Sequence, residues 1–398
     1  MAAAGALDGL RVLDLTRILA GPLCTMTLGD MGADVIKVEP PGTGDDTRTW
    51  GPPFADKESA YFLGLNRNKR SITLNMAVKP GQDILARLIV ECDVLVENFK
   101  VGTLEKWGFG NDWLEKHAPR VIRCSITGYG AIGPKAGLPG YDFILQAESG
   151  LMSICGDAQG EPMKYGVAIV DVCTGLLASN SILAALQARH RTGKGQHVEV
   201  SLFDSSLMML ANVASNHLIS GRDARRFGNA HPNVVPYSAY CTKDAMIAVA
   251  VGNDGQFAKF AAALGRPELA TDVRYAKNPD RVAHRDTLEV VIEEVLMTES
   301  VEEWIARLKG VGVPCGRINT VAQALSDPHA VARDMVRKVQ HPTAGEVKLV
   351  GIPFRMSDTP ATVRRAPPTL GQHTEQVLRD MLELSDTRIN ELRAAKVI

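Results

Sequence analysis

The sequence predicts an α/β protein whose main domain is an open, mostly parallel, Rossmann-like sheet, with a smaller α+β domain after it. Two observations carry this prediction. Short β-branched runs alternate with helical patterns over the first 200 residues, and the alternation gives way near residue 226 to charged helices around one strand. Strand–helix alternation is typical of parallel sheets with helices on both faces. At 398 residues, the chain is long enough for two or three domains.

The elements of the main domain follow from hydrophobic patterning. Apolar runs bounded by turn residues predict strands at Leu10–Leu15, Asp34–Val38, Ser71–Leu74, Val94–Glu97, Val121–Ile126 and His197–Phe203. Apolar residues at helical spacing predict helices at Leu23–Met31, Gln82–Cys92 and Gly175–Arg189.

Three segments are predicted from the change in pattern along the chain. Residues 1–225 form the large domain, residues 226–325 the small one, and residues 326–398 a C-terminal segment. The small domain is expected to hold a strand at Met246–Val251 and helices at Arg285–Leu296 and Val301–Lys309. Six prolines between positions 328 and 368 indicate a segment that wraps over other structure rather than folding alone.

Charge and cysteine usage exclude several functional classes. With 44 basic and 45 acidic residues, the chain has no global field to recruit nucleic acid or a membrane surface. We expect no membrane-spanning helix, because no long apolar run occurs. The seven cysteines stand singly, which favours a reducing compartment, and the N-terminus resembles no signal peptide, so we expect a cytoplasmic protein. The nine histidines show no metal-ligand spacing, and no metal site is predicted.

Five polar, mostly basic blocks lie at junctions between predicted strands and helices, where open α/β sheets gather ligands. They are Leu15–Pro22, Gly44–Arg48, Leu65–Arg70, Glu97–Lys100 and Gly128–Lys135. Cations, asparagine amides and free backbone N–H groups suit a ligand that carries phosphate. Each block alone is also compatible with a solvated turn.

One acid stands out because it ends an apolar run and begins the long predicted helix. This residue, Asp171, lies in the segment Gly166–Gly175. Aspartate is a preferred N-cap, and capping alone would explain its position. Alternatively, the helix N-terminus keeps a partly buried carboxylate ionised for nucleophilic attack. Both interpretations remain open at the level of residue pattern.

The chain resembles the class III CoA-transferases, a family that includes formyl-CoA transferase, carnitine CoA-transferases and α-methylacyl-CoA racemase. The resemblance covers nearly the whole chain, and its motifs are specific in their order rather than singly. They are Leu10–Thr16 with Ala20–Pro22, Gly32–Glu39, Asn66 with Asn68 and Lys69, Val96–Phe99, Ser125–Gly130, Gly193–Gln196 and Leu370–Thr374.

The resemblance implies an interlocked homodimer in which both termini build the large domain. It also implies that Asp171 is the nucleophile, that acyl-CoA and a free carboxylic acid are the substrates, and that no prosthetic group is needed. By the same matching, one set of residues lines the CoA site: Arg17, Leu65, Asn66, Lys69, Asn98, Phe99 and Lys106.

The resemblance further implies a group of residues on the acyl side of the site. Tyr141 would face the substrate, and the loop that holds Gly252, Gly255 and Gln256 would shield the intermediate from water. This loop has fewer glycines than in formyl-CoA transferase.

Arg48 and Arg67 lie in blocks shared with family members that act on dicarboxylates. The resemblance therefore implies succinyl-CoA with a short dicarboxylate such as glutarate, and at least one of these arginines would pair with the distal carboxylate. A structural pairing of Arg48 with Asp45 or Asp46 is the alternative.

Two other functions stay open. Racemases of the family carry a His-Asp pair where this chain has Tyr141 and Asp142, and an unperturbed phenol is a poor base near neutral pH, which favours the transferase. A catalytically silent CoA-binding protein is the second alternative, against which the presence of Asp171 argues.

Overall fold

A computed structural model describes residues 4–398. Its strands are β1 (Arg11–Asp14), β2 (Asp34–Glu39), β3 (Phe54–Ala55), β4 (Glu58–Ser59), β5 (Lys69–Thr73), β6 (Val94–Glu97), β7 (Ile122–Thr127), β8 (His197–Ser201), β9 (Tyr237–Cys241), β10 (Met246–Ala250), β11 (Cys315–Arg317), β12 (Val336–His341) and β13 (Gly345–Val350).

The α-helices are α1 (Ala20–Asp30), α2 (Ala60–Leu65), α3 (Lys79–Val90), α4 (Thr103–Lys106), α5 (Asn111–His117), α6 (Asp142–Glu148), α7 (Leu151–Ile154), α8 (Ile169–Thr192), α9 (Leu202–Met209), α10 (Ala211–Ser220), α11 (Asp254–Ala263), α12 (Asn278–Ala283), α13 (Arg285–Leu296), α14 (Val301–Gly310), α15 (Val321–Ser326), α16 (Pro328–Ala332), α17 (Thr374–Leu382) and α18 (Asp386–Ala394). Short 3₁₀ helices occur at Asp46–Thr49 and Pro267–Ala270.

The chain forms two compact units. The first contains Met1–Leu151, Tyr165–Ser215 and His329–Ile398, and the second contains Met152–Lys164 and Asn216–Pro328. Both ends of the chain therefore contribute to the first unit. The division predicted from sequence fell at residues 225 and 325 and assigned residues 152–164 to the large domain.

A six-stranded parallel sheet organises the first unit, in the order β5-β2-β1-β6-β7-β8. The chain builds outward from β1 through β2 to β5 and then continues on the other side with β6, β7 and β8. The order reverses between β1 and β6, which is where open α/β sheets form ligand crevices at the carboxyl ends of their strands. The predicted open, mostly parallel sheet is confirmed.

Both faces of the sheet are buried, which explains why its strands show continuous apolar runs. Val12 and Val35 pack on one side with the apolar residues of α1 and α8, while Leu13 and Ile36 pack on the other with those of α3, α17 and α18. Because neighbouring strand residues point to opposite faces, each strand serves both cores.

The C-terminal segment covers the β5 edge of the sheet, as its prolines indicated. Asn68, in the left-handed conformation at φ 62°, is the main anchor. Its Oδ1 accepts from the amides of Arg364 (2.6 Å) and Arg365 (2.9 Å), and its Nδ2 donates to Asp30 and to the Thr362 carbonyl, both at 2.8 Å. An edge covered in this way is closed to further strand pairing.

The second unit has its own core around the antiparallel sheet β11-β10-β9. Helices α11, α13 and α14 contribute Phe257, Ile292 and Trp304 to it, and the indole Nε1 of Trp304 donates to the Leu296 carbonyl at 2.8 Å. This agrees with the α+β composition predicted for the small domain.

The α8 helix is longer than the prediction Gly175–Arg189, since it begins at Ile169. By length and composition it is also apolar enough to cross a membrane, with a mean hydropathy of 1.7 over its best window, although no uninterrupted apolar run marks it in the sequence. A buried core helix passes the same test, and α8 packs against α1 and the sheet.

Candidate active site

Two adjoining cavities lie at the carboxyl ends of the central strands, at the reversal of strand order. The first, of about 430 Å³, is lined by segments that follow β1, β2 and β5 and by part of α4. The second, of about 320 Å³, is lined by segments that follow β1, β6 and β7 and by the first turns of α6 and α8. Arg17, Asp46 and Phe99 line both cavities and therefore mark their boundary.

Asp171 lies in the second cavity, in the first turn of α8. It is not the N-cap: that position is Ala168, which has no side chain to cap the helix, so the capping explanation for Asp171 was wrong. No described residue donates a hydrogen bond to its carboxylate or forms an ion pair with it. Burial, and secondarily the charge of Asp142, raise its pKa to about 7.

Asp142 supplies the cap that α8 lacks. From the first residue of α6, its Oδ1 accepts hydrogen bonds from the amides of Val170 (2.8 Å) and Asp171 (3.1 Å). Its Oδ2 accepts from Gln146 at 2.6 Å, and Gln146 in turn accepts from the Tyr165 amide at 2.8 Å. Asp142 thus fixes the turn that carries Asp171 and places a second negative charge beside it. The sequence analysis assigned Asp142 no such role.

Tyr61 is a further neighbour of the two acids that sequence reasoning missed. Burial, followed by the charges of Asp171 and Asp142, raises the pKa of its phenol to about 12. Its ring packs edge-on against Trp50, with centroids 5.3 Å apart. The phenol therefore remains protonated at any physiological pH.

Arg17 and Asn98, which were both predicted at the CoA site, both line the second cavity, and the Asn98 amide bonds to the Arg17 backbone. The Arg17 amide donates to Asn98 Oδ1 at 3.1 Å, and Asn98 Nδ2 donates to the Arg17 carbonyl at 2.8 Å. The next residue, Ile18, has φ 73°, a strained conformation for a β-branched residue, and its amide donates to Asp45 at 3.2 Å. The loop after β1 is therefore held in one conformation from two sides.

Phe99 packs edge-on against Trp107 with ring centroids 5.2 Å apart, and both line the first cavity. These rings offer an apolar wall for the pantetheine or adenine of a CoA ligand. Lys106, at the end of α4, is exposed and lines neither cavity, whereas Lys100 lines the second. The sequence analysis did not include Lys100 among its site residues.

Leu65, Asn66 and Lys69 do not line either cavity. Lys69 is fully buried, and its Nζ donates to Asp14 (3.0 Å), the Pro22 carbonyl (2.9 Å) and Asn66 (2.9 Å). Burial lowers its pKa to about 8. With all three ammonium donors used internally, Lys69 has none left for a phosphate. The residues after β5 that do line the first cavity are Leu74, Asn75, Met76 and Ala77.

Arg48 and Arg67 are engaged by internal carboxylates and line neither cavity. Arg48 forms a two-point pair with Glu39 at 2.7 and 2.8 Å, and Arg67 forms one with Asp30 at 2.9 and 2.6 Å. A structural role had been the alternative for Arg48, but its partner is Glu39 rather than Asp45 or Asp46. Fully paired guanidinium groups do not offer donors to a distal carboxylate without breaking a buried pair.

The remaining predicted residues fall into two places. Tyr141 lines the second cavity and immediately precedes Asp142. Gly252, Gly255 and Gln256 belong to the second unit, where Gln256 Oε1 accepts from the Gly252 amide at 2.8 Å. Gly255 is part of α11, and neither glycine has positive φ. The shielding role of this loop stays a prediction.

A metal centre is not assembled anywhere in residues 4–398, where no group of three or more histidine, cysteine, aspartate or glutamate side chains could hold an ion. The cavities instead combine a half-buried carboxylate that no described residue pairs with, aromatic walls and a few lining cations. Such a set can hold an anionic thioester and attack it with a carboxylate.

Comparison with known proteins gives one consistent result. The family model described as CoA-transferase family III matches residues 7–374. A human succinyl-CoA:glutarate CoA-transferase is 43% identical over 392 residues, which cover 98% of this chain and 90% of that protein. An Agrobacterium fabrum succinate–glutarate CoA-transferase is 42% identical over 391 residues, covering 96% and 97%. A CAIB/BAIF family crystal structure from Brucella suis superposes with a TM-score of 0.83 at 44% identity, covering 95% and 100%.

Proposed function

Because this chain belongs to CoA-transferase family III, it transfers CoA, and we propose that Asp171 carries the CoA as a covalent intermediate. The observation that supports this role is the state of the Asp171 carboxylate, which is half-buried, receives no hydrogen bond from the described residues, and lies at the cavity wall. A carboxylate without donors keeps its electron density available for attack.

The reaction divides into exchanges between carboxylate and thiolate. An Asp171 carboxylate oxygen attacks the thioester carbon of the donor, the C–S bond breaks, and a mixed anhydride forms with release of CoA thiolate. The thiolate then attacks the Asp171 carbonyl, releasing the donor acid and leaving an aspartyl-CoA thioester. The acceptor carboxylate repeats the two steps in reverse order, which regenerates the Asp171 carboxylate. Proton transfer is not required at any of these steps.

Trapping of the intermediate tests this role. Incubation with succinyl-CoA is expected to add one CoA to the intact protein, and hydroxylamine is expected to convert Asp171 to a hydroxamate seen by peptide mass spectrometry. Asp171→Asn should give neither product, while Asp386→Asn, which removes an exposed carboxylate elsewhere, should give both. Absence of any adduct from a panel of acyl-CoAs, together with exchange of the α-proton in deuterated water, would instead indicate a racemase.

For the substrates, we propose succinyl-CoA with glutarate or another short dicarboxylate. The support is the activity for which the human and Agrobacterium relatives are named, because both match almost the whole chain. Since Arg48 and Arg67 are paired internally, the distal carboxylate of the dicarboxylate substrate has to be bound by other groups that line the cavities. Turnover of glutarate compared with that of a monocarboxylate of equal length decides the substrate class.

We also propose that two copies of the chain associate. Helices α6, α8 and α9 pack together and expose an apolar surface whose members are 42–56% accessible. They are Phe143, Ile144, Leu176, Leu207 and Met208. An apolar patch of this kind next to a catalytic cavity favours a subunit interface. Light scattering coupled to size exclusion is expected to give twice the chain mass of 42.9 kDa, and a monomer would contradict the proposal.

A further inference from the structure

The boundary between the two cavities is formed by an ion pair that a phosphate-bearing ligand would meet. Arg17 Nη1 and Asp46 Oδ2 are 3.2 Å apart, and the two side chains are 59% and 53% exposed. Both residues line both cavities. An extended ligand that occupies both cavities at once therefore has to pass this pair.

Few cations are available to an anion in these cavities. Lys37 lines the first, but it is fully buried and donates to Asp45 and to the Thr16 carbonyl, each at 2.8 Å. Lys100 lines the second and forms no ion pair with any described residue. Arg17 is thus the only cavity cation among residues 4–398 that is both accessible and already neutralised by a carboxylate.

The contacts of this pair allow its side chains to separate without moving the backbone. Asn98 holds the Arg17 backbone through two hydrogen bonds, independently of the guanidinium group. Asp45, next to Asp46, is held by Lys37 and by the amide and hydroxyl of Thr47. The only hydrogen bond that the Asp46 carboxylate makes with the described residues is the one to Arg17. Arg17 can therefore exchange Asp46 for another anion by movement of the two side chains alone.

From this arrangement we propose that Asp46 competes with the phosphate groups of the CoA substrate for Arg17, and that binding exchanges one anion for the other. The inference rests on the proposed function, because it takes CoA as the ligand. A phosphate binds a guanidinium group more strongly than a solvated carboxylate does, but it must first displace that carboxylate. Asp46 therefore weakens binding of CoA and speeds its release, which suits an enzyme that must discharge a CoA thioester in every cycle.

Calorimetric titration with CoA tests the competition in four proteins: the wild type, Asp46→Asn, Arg17→Met and the double variant. Exposed ion pairs are weak, so we expect Asp46→Asn to bind CoA about three- to tenfold more tightly. Arg17→Met should bind more weakly. On the Arg17→Met background, the Asp46 substitution should bring little gain, because the residue for which the anions compete is gone.

Matched outcomes separate this inference from simpler explanations. Asp386→Asn makes the same change in net charge at an exposed pair that lines neither cavity and should leave the affinity unchanged. Equal or weaker CoA binding by Asp46→Asn would overturn the inference, since Asp46 would then only orient Arg17. If Asp46→Asn raises the affinity for CoA equally with and without Arg17, the inference is overturned too, because the gain is then a general charge effect. A wild type that binds no CoA would overturn the proposed function itself.

Discussion

Replacing Asp171 by asparagine is expected to abolish CoA transfer and, above pH 7, to stabilise the fold. An amide cannot form the anhydride, so the rate should fall by at least about 10⁴-fold. Stability should change in the opposite direction, because burial and Asp142 raise the pKa of Asp171 to about 7. Unfolding releases the proton bound to this group between about pH 4 and pH 7, so the native state of the wild type loses stability as pH rises through that window.

The expected gain is about 2–4 kcal/mol in the free energy of unfolding at pH 8, and it should shrink to below about 1 kcal/mol near pH 4, where the carboxyl is neutral in the native state and only about half ionised in the unfolded state. Urea denaturation of the wild type and Asp171→Asn at the two pH values measures it. Asp386→Asn, at an exposed position, serves as the control and should show no such pH-dependent gain. If Asp171→Asn is inactive but has the same free energy of unfolding as the wild type at both pH values, the surroundings of Asp171 do not destabilise its charged form.

Asp171 differs from the buried acids of the first unit, and this difference agrees with the stability cost expected for its charge. Buried acids elsewhere in that unit are matched by cations, as Asp14 is by Lys69 and Glu39 by Arg48. Asp171 instead has the like charge of Asp142 beside it, and no described residue forms an ion pair with the Asp171 carboxylate. Uncompensated burial of a charge is costly and persists at functional sites. The contrast within one unit supports a chemical role for Asp171.

The sheet could be predicted because its strands are local and apolar on both faces. The segment Val94–Glu97 was predicted with its observed bounds, and the strands at β1 and β2 were predicted to within two residues. Patterns of this kind need no knowledge of partners. The β12–β13 hairpin was missed because its apolar positions are interrupted by charged residues, and it is buried mainly around Val347 and Leu349.

Charged residues were harder to assign, because their partners are distant in sequence. Arg67 is separated by 37 positions from Asp30, and Arg48 by nine from Glu39. In the sequence, a basic block that binds an anionic ligand cannot be distinguished from one that pairs with a buried acid of the same protein. Leu74 and Met76 line the first cavity without any polar signal that could have marked them. Geometry was needed to separate the residues that touch a ligand from those that build its walls.

Asp142 is the clearest case, because its action on Asp171 spans 29 positions. Replacing it by asparagine is expected to shift the pH dependence of transfer. The side-chain oxygen can still accept from the amides of Val170 and Asp171, but the charge that helps to raise the pKa of Asp171 is lost. The pKa should then fall below 7 while burial keeps it above its ordinary value.

The profile of kcat/KM against pH, which reports the free enzyme, should therefore rise through about 7 in the wild type and at a lower pH in Asp142→Asn. The variant should transfer CoA faster than the wild type at pH 5.5 and more slowly at pH 8, because a less basic carboxylate is a weaker nucleophile. Asp142→Ala removes the charge and also the cap of α8, so its rate should be low at every pH. If the midpoint of the pH profile is unchanged in Asp142→Asn, the role of Asp142 is only to cap α8.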